Sequence, residues 1–595
     1  MTNFVGLSFI IMKRFFCVFL LMISMVTMEA RPLKDYLTPI PKSITMLREK
    51  NNFSNDQVVR CQQYLLSLHK NKLSKVENLN LLPFLSFEID SSIKSQAYIL
   101  RIHTDKIKIS GGDRAALFYA SQTLLQIIDY SLSEKTSLPC LIIHDTPDFE
   151  RRGYMLDISR NKVPKMSTLY KIVDLLASWK VNEFQLYTEH TFAYKNHPEA
   201  WKNCSPMTAA EIRELDNYCK ERFIDLVPNQ NSFGHMENWL RHDRYKDLAE
   251  CPDDCATIWG TRKLSSLDPT NPKSFELMQE LYAELLPNFE SKLFNIGCDE
   301  TFDLLGEGRS AAAVKEKGAA HVYCDFVRKI QKLAADRGRT VMYWGDFIVA
   351  YPDMVREMPK DAVMIVCSYD QDTPYDKRCA KPESLGRKYY IGPGTSSWYA
   401  LFGKWTNARR NIANAFAAGR RHGMSGCLLC DWGDGGYPHP YIVSLPPIVY
   451  AAGEAKGRQM TDDEVAAEVD RICGCRCGKA LLRYGDLYRM AYCHTPNSTA
   501  LYKMLADRET YKYTYAQNEG RMGELFDELH DIMTSVDLTN APDWVKEDFA
   551  MLELLGKALE MAYHKQESRI LSEIPGPYRR LWLKQNRPGG LEDSV

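Results

Sequence analysis

The chain has 595 residues, too many for one hydrophobic core, so two to four domains are expected. Hydrophobic residues make up 45% and charged residues 25%, an ordinary globular balance that excludes a disordered or fibrous chain. The formal net charge of −1 supplies no basic field for phosphate backbones and argues against a nucleic-acid partner.

The chain opens with Lys13 and Arg14, the apolar run Phe15 to Val26, and Met28-Glu29-Ala30 ending on a small residue. That is the order of a secretory signal peptide over residues 1–30, with Met12 an alternative start. A retained N-terminal anchor is the other reading, but the run is short for a membrane span. The expectation is export to the periplasm or exterior, with no stable membrane span in the mature protein. Cys17 lies inside the apolar run, not at its end, which speaks against a lipoprotein site. Seventeen cysteines less Cys17 leave sixteen in the mature chain. Export would permit disulfides, but the spacings are not those of a small disulfide scaffold, and the pairing stays open.

Residues 31–148 read as an accessory α/β domain. "AYILRIHTDKIKIS" alternates like two strands, "GG" turns the chain, and "RAALFYASQTLLQII" has helical spacing. A different rhythm then runs over 149–456. Eight short β-rich runs, at 153–159, 183–189, 225–231, 293–299, 340–346, 362–368, 388–394 and 426–432, are separated by amphipathic stretches such as "MSTLYKIVDLLASWK". Alternation of this kind predicts a parallel sheet with helices outside it. Eight units over roughly 300 residues is the count of a (β/α)8 TIM barrel. A doubly wound sheet would need a switch point and a glycine-rich nucleotide turn, and neither is evident. Residues 457–595 read as a helical domain, with Val545, Phe549, Leu552 and Leu559 forming one apolar stripe after Pro542. Within it, Cys473, Cys475 and Cys477 have no partners at zinc spacing, so no metal is expected there.

In such barrels the chemistry sits at the C-terminal ends of the strands. Glu189, Asn229, Asn231, Asp299, Glu300, Trp344, Asp346 and Asp434 all fall at or just after those ends. Paired carboxylates at a barrel mouth point to glycoside hydrolysis. Adjacent acids in "NIGCDE" are unusual as nucleophile and acid. They suit a division in which Glu300 protonates the leaving oxygen and Asp299 steadies a nucleophile carried by the substrate, such as a 2-acetamido carbonyl. Trp344, Trp398 and Trp432 could cover the C–H faces of a sugar ring, although each taken singly belongs more readily to a core than to a ligand wall.

These motifs, in this order, resemble glycoside hydrolase family 20, the β-N-acetylhexosaminidases, over nearly all of residues 90–456. "GGDRAALFYASQTLLQ" is similar to the family's accessory domain and "DFERRGYMLDISRNKVP" to its first barrel strand. The resemblance implies that Arg152 grips sugar hydroxyls, that Asp299 and Glu300 are the catalytic pair, and that Trp432 and Asp434 of "CDWGDGG" stack on the sugar and contact a hydroxyl. "NSFGHMENWL" and "IGCDETFDLLGEG" are closer to the hexosaminidase D branch, which adds His235, Trp344 and Glu189 to the site. It further implies retaining, substrate-assisted removal of terminal β-linked N-acetylhexosamine from glycans, without a cofactor. The chain departs from the common family pattern at Gly297-Cys298, at His190 and at Asn229 and Asn231, where many members carry acids. Three alternatives stay open: another acetamido-assisted barrel glycosidase, a non-catalytic glycan-binding protein, and a phosphate site at "GEG". The last lacks the Lys-Ser/Thr of a P-loop. Sugar preference, linkage and oligomeric state are not legible.

Overall fold

The computed structural model describes residues 32–70, 82–257, 260–346, 351–493, 497–506 and 508–594. The signal segment read over 1–30 lies outside them. Five strands come first: β1 (Ser43–Met46), β2 (Leu85–Ile89), β3 (Tyr98–Ile102), β4 (Ile107–Gly111) and β5 (Leu141–Asp145), ordered β1-β5-β3-β4-β2. Alternation in β3 buries Tyr98, Leu100 and Ile102 on one face, as the period of two requires. The helix Arg114–Ser133 packs against the sheet. Its start is fixed by Asp113, whose carboxylate accepts from the Ala116 N–H at 2.7 Å.

The second sheet is the barrel. It contains β6 (Arg151–Asp157), β7 (Glu183–Tyr187) and β8 (Asp225–Val227). A small outlying hairpin follows, β9 (Cys255–Thr257) with β10 (Gly260–Arg262). The ring resumes with β11 (Leu293–Asn295), β12 (Thr340–Trp344), β13 (Val363–Cys367), β14 (Tyr389–Gly392) and β15 (Gly426–Asp431). Neighbours run in the order β11-β12-β13-β14-β15-β6-β7-β8, all parallel. The ring closes where Asn229 bridges Asn295, with the Gln230 N–H donating to the Asn295 carbonyl at 2.9 Å. This is the (β/α)8 barrel that the alternation predicts. Its interior is a separate apolar core of Met155, Val227, Met342, Ile365 and Leu428, crowned by Trp344, Trp398 and Trp432.

All eight predicted strands begin within two residues of the observed ones, but each was read one to four residues too long at its C-terminal end. Those residues leave the ladder because they line the barrel mouth. The same turn away from the sheet that ends the strand makes the site.

A buried ionic cluster joins the first sheet to the barrel. Asp145 at the end of β5 accepts from Lys180 at 3.2 Å and from Lys456 at 2.9 Å. All three are buried, so each charge depends on the others for solvation. Beyond Asp462 the elements are helices and short helical turns, and the Val545, Phe549, Leu552 and Leu559 stripe is buried along the helix Asp543–Tyr563. The chain then returns to the barrel: Asn586 bridges Pro164, and the Asn161 side-chain amide donates to Asp593 at 2.8 Å. Among the described residues no helix is long and apolar enough to cross a membrane.

Candidate active site

The site grows from the C-terminal ends of the eight barrel strands and the loops that follow them. After β11 the chain runs Ile296-Gly297-Cys298-Asp299-Glu300, with left-handed backbone at Gly297, Cys298 and Glu300. Gly297 has to be glycine: a Cβ there would stand 2.5 Å from the Asn231 side chain. Cys298 and Glu300 are not glycines, and left-handed backbone at such residues costs about 1–3 kcal/mol each. The twist separates two neighbours in sequence. Asp299 is buried, while Glu300 keeps part of its carboxyl open.

Asp299 is held from two sides. Asn231, past the end of β8, donates to it at 2.6 Å and donates also to the Tyr187 hydroxyl at 3.0 Å. The His235 Nε2 lies 3.2 Å from its other oxygen. His235 can come this close because the preceding residue is Gly234, where a Cβ would stand 2.1 Å from the Asp299 carbonyl oxygen. Glu300 is aimed by its own backbone, whose N–H donates to Asp346 past the end of β12 at 2.9 Å. Its carboxyl lies 3.7 Å from His235 and 3.8 Å from Arg262.

The electrostatics push the two acids apart. Burial raises Asp299, but His235 and the Asn231 hydrogen bond more than offset it, and the carboxyl is held below its ordinary 3.8. Burial raises Glu300 above 4.5; anionic Asp299 adds to this, and His235 and Arg262 only partly oppose it. Burial works against a charged His235, yet Asp299, Glu189 and Glu300 around it hold the imidazole well above 6.5. One carboxylate stays ionised, its neighbour stays protonated to a higher pH, and a cation sits between them. Paired groups driven apart in this way mark acid–base assignments.

Across the mouth, Arg160 lies three residues past the end of β6. Its guanidinium donates to Glu189 at 2.5 Å and to Asp434 at 3.0 Å. The Tyr187 hydroxyl also donates to Glu189 at 3.0 Å. Burial still pushes Glu189 up to about 7. An inner chamber of about 130 Å³ is lined by Trp344, Trp398, Trp432 and Tyr369 together with Asp299, Glu300, His235 and Asp434. The Trp344 indole N–H is buried in this wall and has no hydrogen-bond partner among the described residues. The chamber shares Arg160, His235, Glu300 and Asp434 with an outer cavity of about 580 Å³, where Glu189 also lies.

The mouth therefore brings together every residue read from the sequence as a site residue except one. Arg152 sits at the N-terminal end of β6, on the side of the barrel away from the mouth. Its guanidinium donates to the Phe149 carbonyl at 2.7 Å, the Lys180 carbonyl at 2.9 Å and Gln96 at 2.9 Å, and lies over the Tyr119 ring. It joins the barrel to the first sheet and lines neither cavity of the mouth. The arginine of the site is Arg160, eight residues further along the same motif. The signal was present, since residues beyond a strand's C-terminal end line the mouth and those at its start do not. Arg262, Asn497 and Asp593 also line these cavities. They come from outside the barrel strands, and no local pattern announces them.

The two arginines are predicted to behave differently when cut back. Arg160→Met removes the counter-charge of Glu189 and Asp434 and is expected to raise KM tenfold or more. Arg152→Met is expected to lower the melting temperature while leaving KM within about twofold, since the hydrogen bonds it loses, about 1–3 kcal/mol each, are all structural. Steady-state kinetics beside thermal melts of both variants check this.

Among the described residues one disulfide is present, Cys251–Cys255, at the base of the β9–β10 hairpin. Cys473, Cys475 and Cys477 are free thiols. No group of three or more His, Cys, Asp or Glu among the described residues could hold a metal ion.

Comparison with known proteins agrees with this geometry. The model for "Glycosyl hydrolase family 20, catalytic domain" matches residues 149–382, and that for "Glycosyl hydrolase family 20, domain 2" matches residues 34–146. A beta-hexosaminidase of Akkermansia muciniphila is 25% identical over 295 residues, 45% of this chain and 59% of that protein. Beta-hexosaminidase subunit B1 of Dictyostelium discoideum is 25% identical over 414 residues, 62% of this chain and 71% of that protein. The chain thus spans less than two thirds of the first of these relatives. Among solved structures, a chitobiase of Flavobacterium johnsoniae superposes with a TM-score of 0.59 at 17% identity, over 93% of this chain and 96% of that one. An exo beta-N-acetylglucosaminidase of Vibrio harveyi in complex with N-acetylglucosamine superposes with a TM-score of 0.56 at 17% identity, over 74% of this chain and 78% of that one. At such identities the structural likeness speaks for the fold alone. The family models account for the accessory sheet and most of the barrel together, and on that ground the chain belongs to glycosyl hydrolase family 20.

Proposed function

We propose that this protein is a retaining exo-β-N-acetylhexosaminidase that removes terminal β-linked N-acetylhexosamine from glycans with the help of the substrate's own acetamido group. The observation that carries the reading is the pair at the end of β11: Asp299 is buried and held ionised by His235 and Asn231, and Glu300 beside it is held protonated to higher pH. Family membership and the relatives' printed names support it.

The chemistry follows from the geometry. A terminal sugar enters the inner chamber, where the indoles of Trp344, Trp398 and Trp432 offer apolar faces to its C–H faces. Arg160 and Asp434 meet its hydroxyls. Glu300 gives its proton to the glycosidic oxygen as the bond to the anomeric carbon breaks. The acetamido carbonyl attacks that carbon from the opposite side and forms an oxazolinium ion, whose N–H faces anionic Asp299. Glu300, now a carboxylate, takes a proton from water as it opens the ring, and the β configuration is kept. An anion preorganised against a developing cation in a dry pocket is the largest lever such a site has.

The reading is tested with the 4-nitrophenyl β-glycosides of N-acetylglucosamine, N-acetylgalactosamine, glucose and galactose. Nitrophenol release is expected from the two acetamido sugars and not from the others. Equal release from glucose would remove the acetamido group from the mechanism. No release from any, nor from an acetamido disaccharide, would leave a glycan-binding protein. We further propose export of the chain, supported by the signal-like segment at 1–30 and by the Cys251–Cys255 disulfide, which oxidising compartments favour.

A further inference from the structure

The outer cavity is larger than the chamber behind it, and Arg262 stands where the two meet. The residue ends β10, on a hairpin that belongs to none of the barrel strands. The hairpin is firmly set. Cys251 and Cys255 tie its base, and the Leu264 N–H donates to the Cys251 carbonyl at 2.8 Å. The turn Phe302–Leu305 that follows Glu300 leads into Gly306, which lies so close to the hairpin that a Cβ there would be 2.9 Å from the Ala256 carbonyl oxygen. Just beyond β10, the Ser265 carbonyl accepts from the Met236 N–H at 2.8 Å, so the same segment is tied to the loop that carries His235.

The guanidinium so placed is one third exposed, and its nearest carboxylate is Glu300 at 3.8 Å, beyond hydrogen-bond reach. Among the described residues the guanidinium donates no hydrogen bond, and its exposed part opens on the outer cavity. The proton that Glu300 delivers goes to the oxygen joining the two sugars, so a group beside the Glu300 carboxyl and outward of it faces the leaving sugar. The rest of this wall mixes signs: Glu237 and Asp593 add carboxylates, Arg160 and His235 add positive charge, and Asn161 and Asn238 bring amides. A wall of mixed cations, carboxylates and amides suits hydroxyl groups, which both donate and accept. It does not suit a leaving group of strong charge in either sense.

We propose that Arg262 is a specificity-determining residue on the leaving-group side, donating hydrogen bonds to the hydroxyl oxygens of a neutral sugar joined to the N-acetylhexosamine. This rests on the hydrolase reading above and adds to it a residue and a class of leaving group. Arg262 also acts on Glu300: its charge opposes the upward shift of that acid, so removing the charge should let the Glu300 pKa rise further.

The test compares wild type, Arg262→Gln and Arg262→Lys on three substrates with the same terminal sugar. One is the 4-nitrophenyl glycoside, one a disaccharide with a neutral leaving sugar, and one a disaccharide whose leaving sugar carries a carboxylate. Arg262→Gln is expected to lower kcat/KM for the neutral disaccharide about tenfold or more, mainly through KM, and to change that for the nitrophenyl glycoside less than about threefold. Arg262→Lys keeps the charge without the planar fork and should recover only part of the loss. With the neutral disaccharide, whose leaving oxygen needs the Glu300 proton, the alkaline limb of the pH profile should move to higher pH in Arg262→Gln and stay in place in Arg262→Lys. Equal losses on the aryl and disaccharide substrates, no loss on either, or a loss largest on the carboxylated disaccharide would each overturn the proposal. A wild type inert toward all three would instead overturn the hydrolase reading.

Discussion

Replacing Asp299 by Asn is expected to lower kcat/KM on acetamido substrates by about 10²–10³, the range seen when one preorganised group facing a transition-state charge is lost. The substitution is nearly isosteric, and the Asn231 contact at 2.6 Å can still be made to the remaining amide oxygen. What goes is the negative charge, and with it the partner of the oxazolinium N–H. His235 loses its strongest supporting anion at the same time, so it should titrate at lower pH than in the wild type. Folding should survive, because Asp299→Asn removes a buried anion and not a buried hydrophobic contact. Kinetics, circular dichroism and a thermal melt on one preparation separate the two effects. A variant with near-normal turnover would mean that the site works without an anion at this position.

Replacing Glu300 by Gln carries an effect of similar size with a different signature. General acid catalysis contributes about 10²–10⁴ where the leaving group needs a proton. A sugar alkoxide needs it; a nitrophenolate hardly does. The loss is therefore expected to be near the top of that range for a disaccharide and far smaller for the first, glycosylation step of a 4-nitrophenyl glycoside. The pH profile adds a second reading. In the wild type, Glu300 must be protonated and Asp299 ionised. Because Glu300 is raised above its ordinary value and Asp299 is lowered below its own, activity should persist from below the usual carboxyl range to above it and fall as pH rises through the Glu300 pKa. In Glu300→Gln that alkaline fall should disappear. Losses of equal size on the two kinds of substrate would take the acid role away from Glu300.

The barrel was legible because its signals are local. Each strand is a short apolar run, and the helices between them keep one apolar face, so alternation alone predicts the ring and the position of its mouth. The catalytic pair was legible for the same reason, since Asp299 and Glu300 follow a strand directly. Arg152 shows where this reasoning fails. A motif names an arginine but not the end of the strand it occupies, and the register places Gly153 and its neighbour at the bottom of the barrel, with Arg160 at the top. Arg262, Asn497 and Asp593 show a second limit. They reach the cavities from a disulfide-tied hairpin, a loop in the helical region and a segment that returns across the barrel mouth. Nothing in their own neighbourhoods marks them, because their placement is set by packing between segments far apart in the chain. The strand ends, read too long, repeat the point. The residues past the ladders are mostly polar, as Asn229, Asn231 and Asp299 are, and after β11 the left-handed backbone at Cys298 and Glu300 turns the chain into the mouth.

The central claim is that the substrate's acetamido carbonyl is the nucleophile and Asp299 its support. The most direct measurement is the rate of glycosylation for 4-nitrophenyl β-glycosides whose N-acetyl group carries zero, one, two or three fluorines. Each fluorine withdraws electrons from the carbonyl oxygen while changing its size little. The account predicts a steep, progressive fall in kcat/KM along the series for the wild type and a clearly shallower one for Asp299→Asn. A flat series in the wild type would contradict it and would place the nucleophile on the protein or in the solvent.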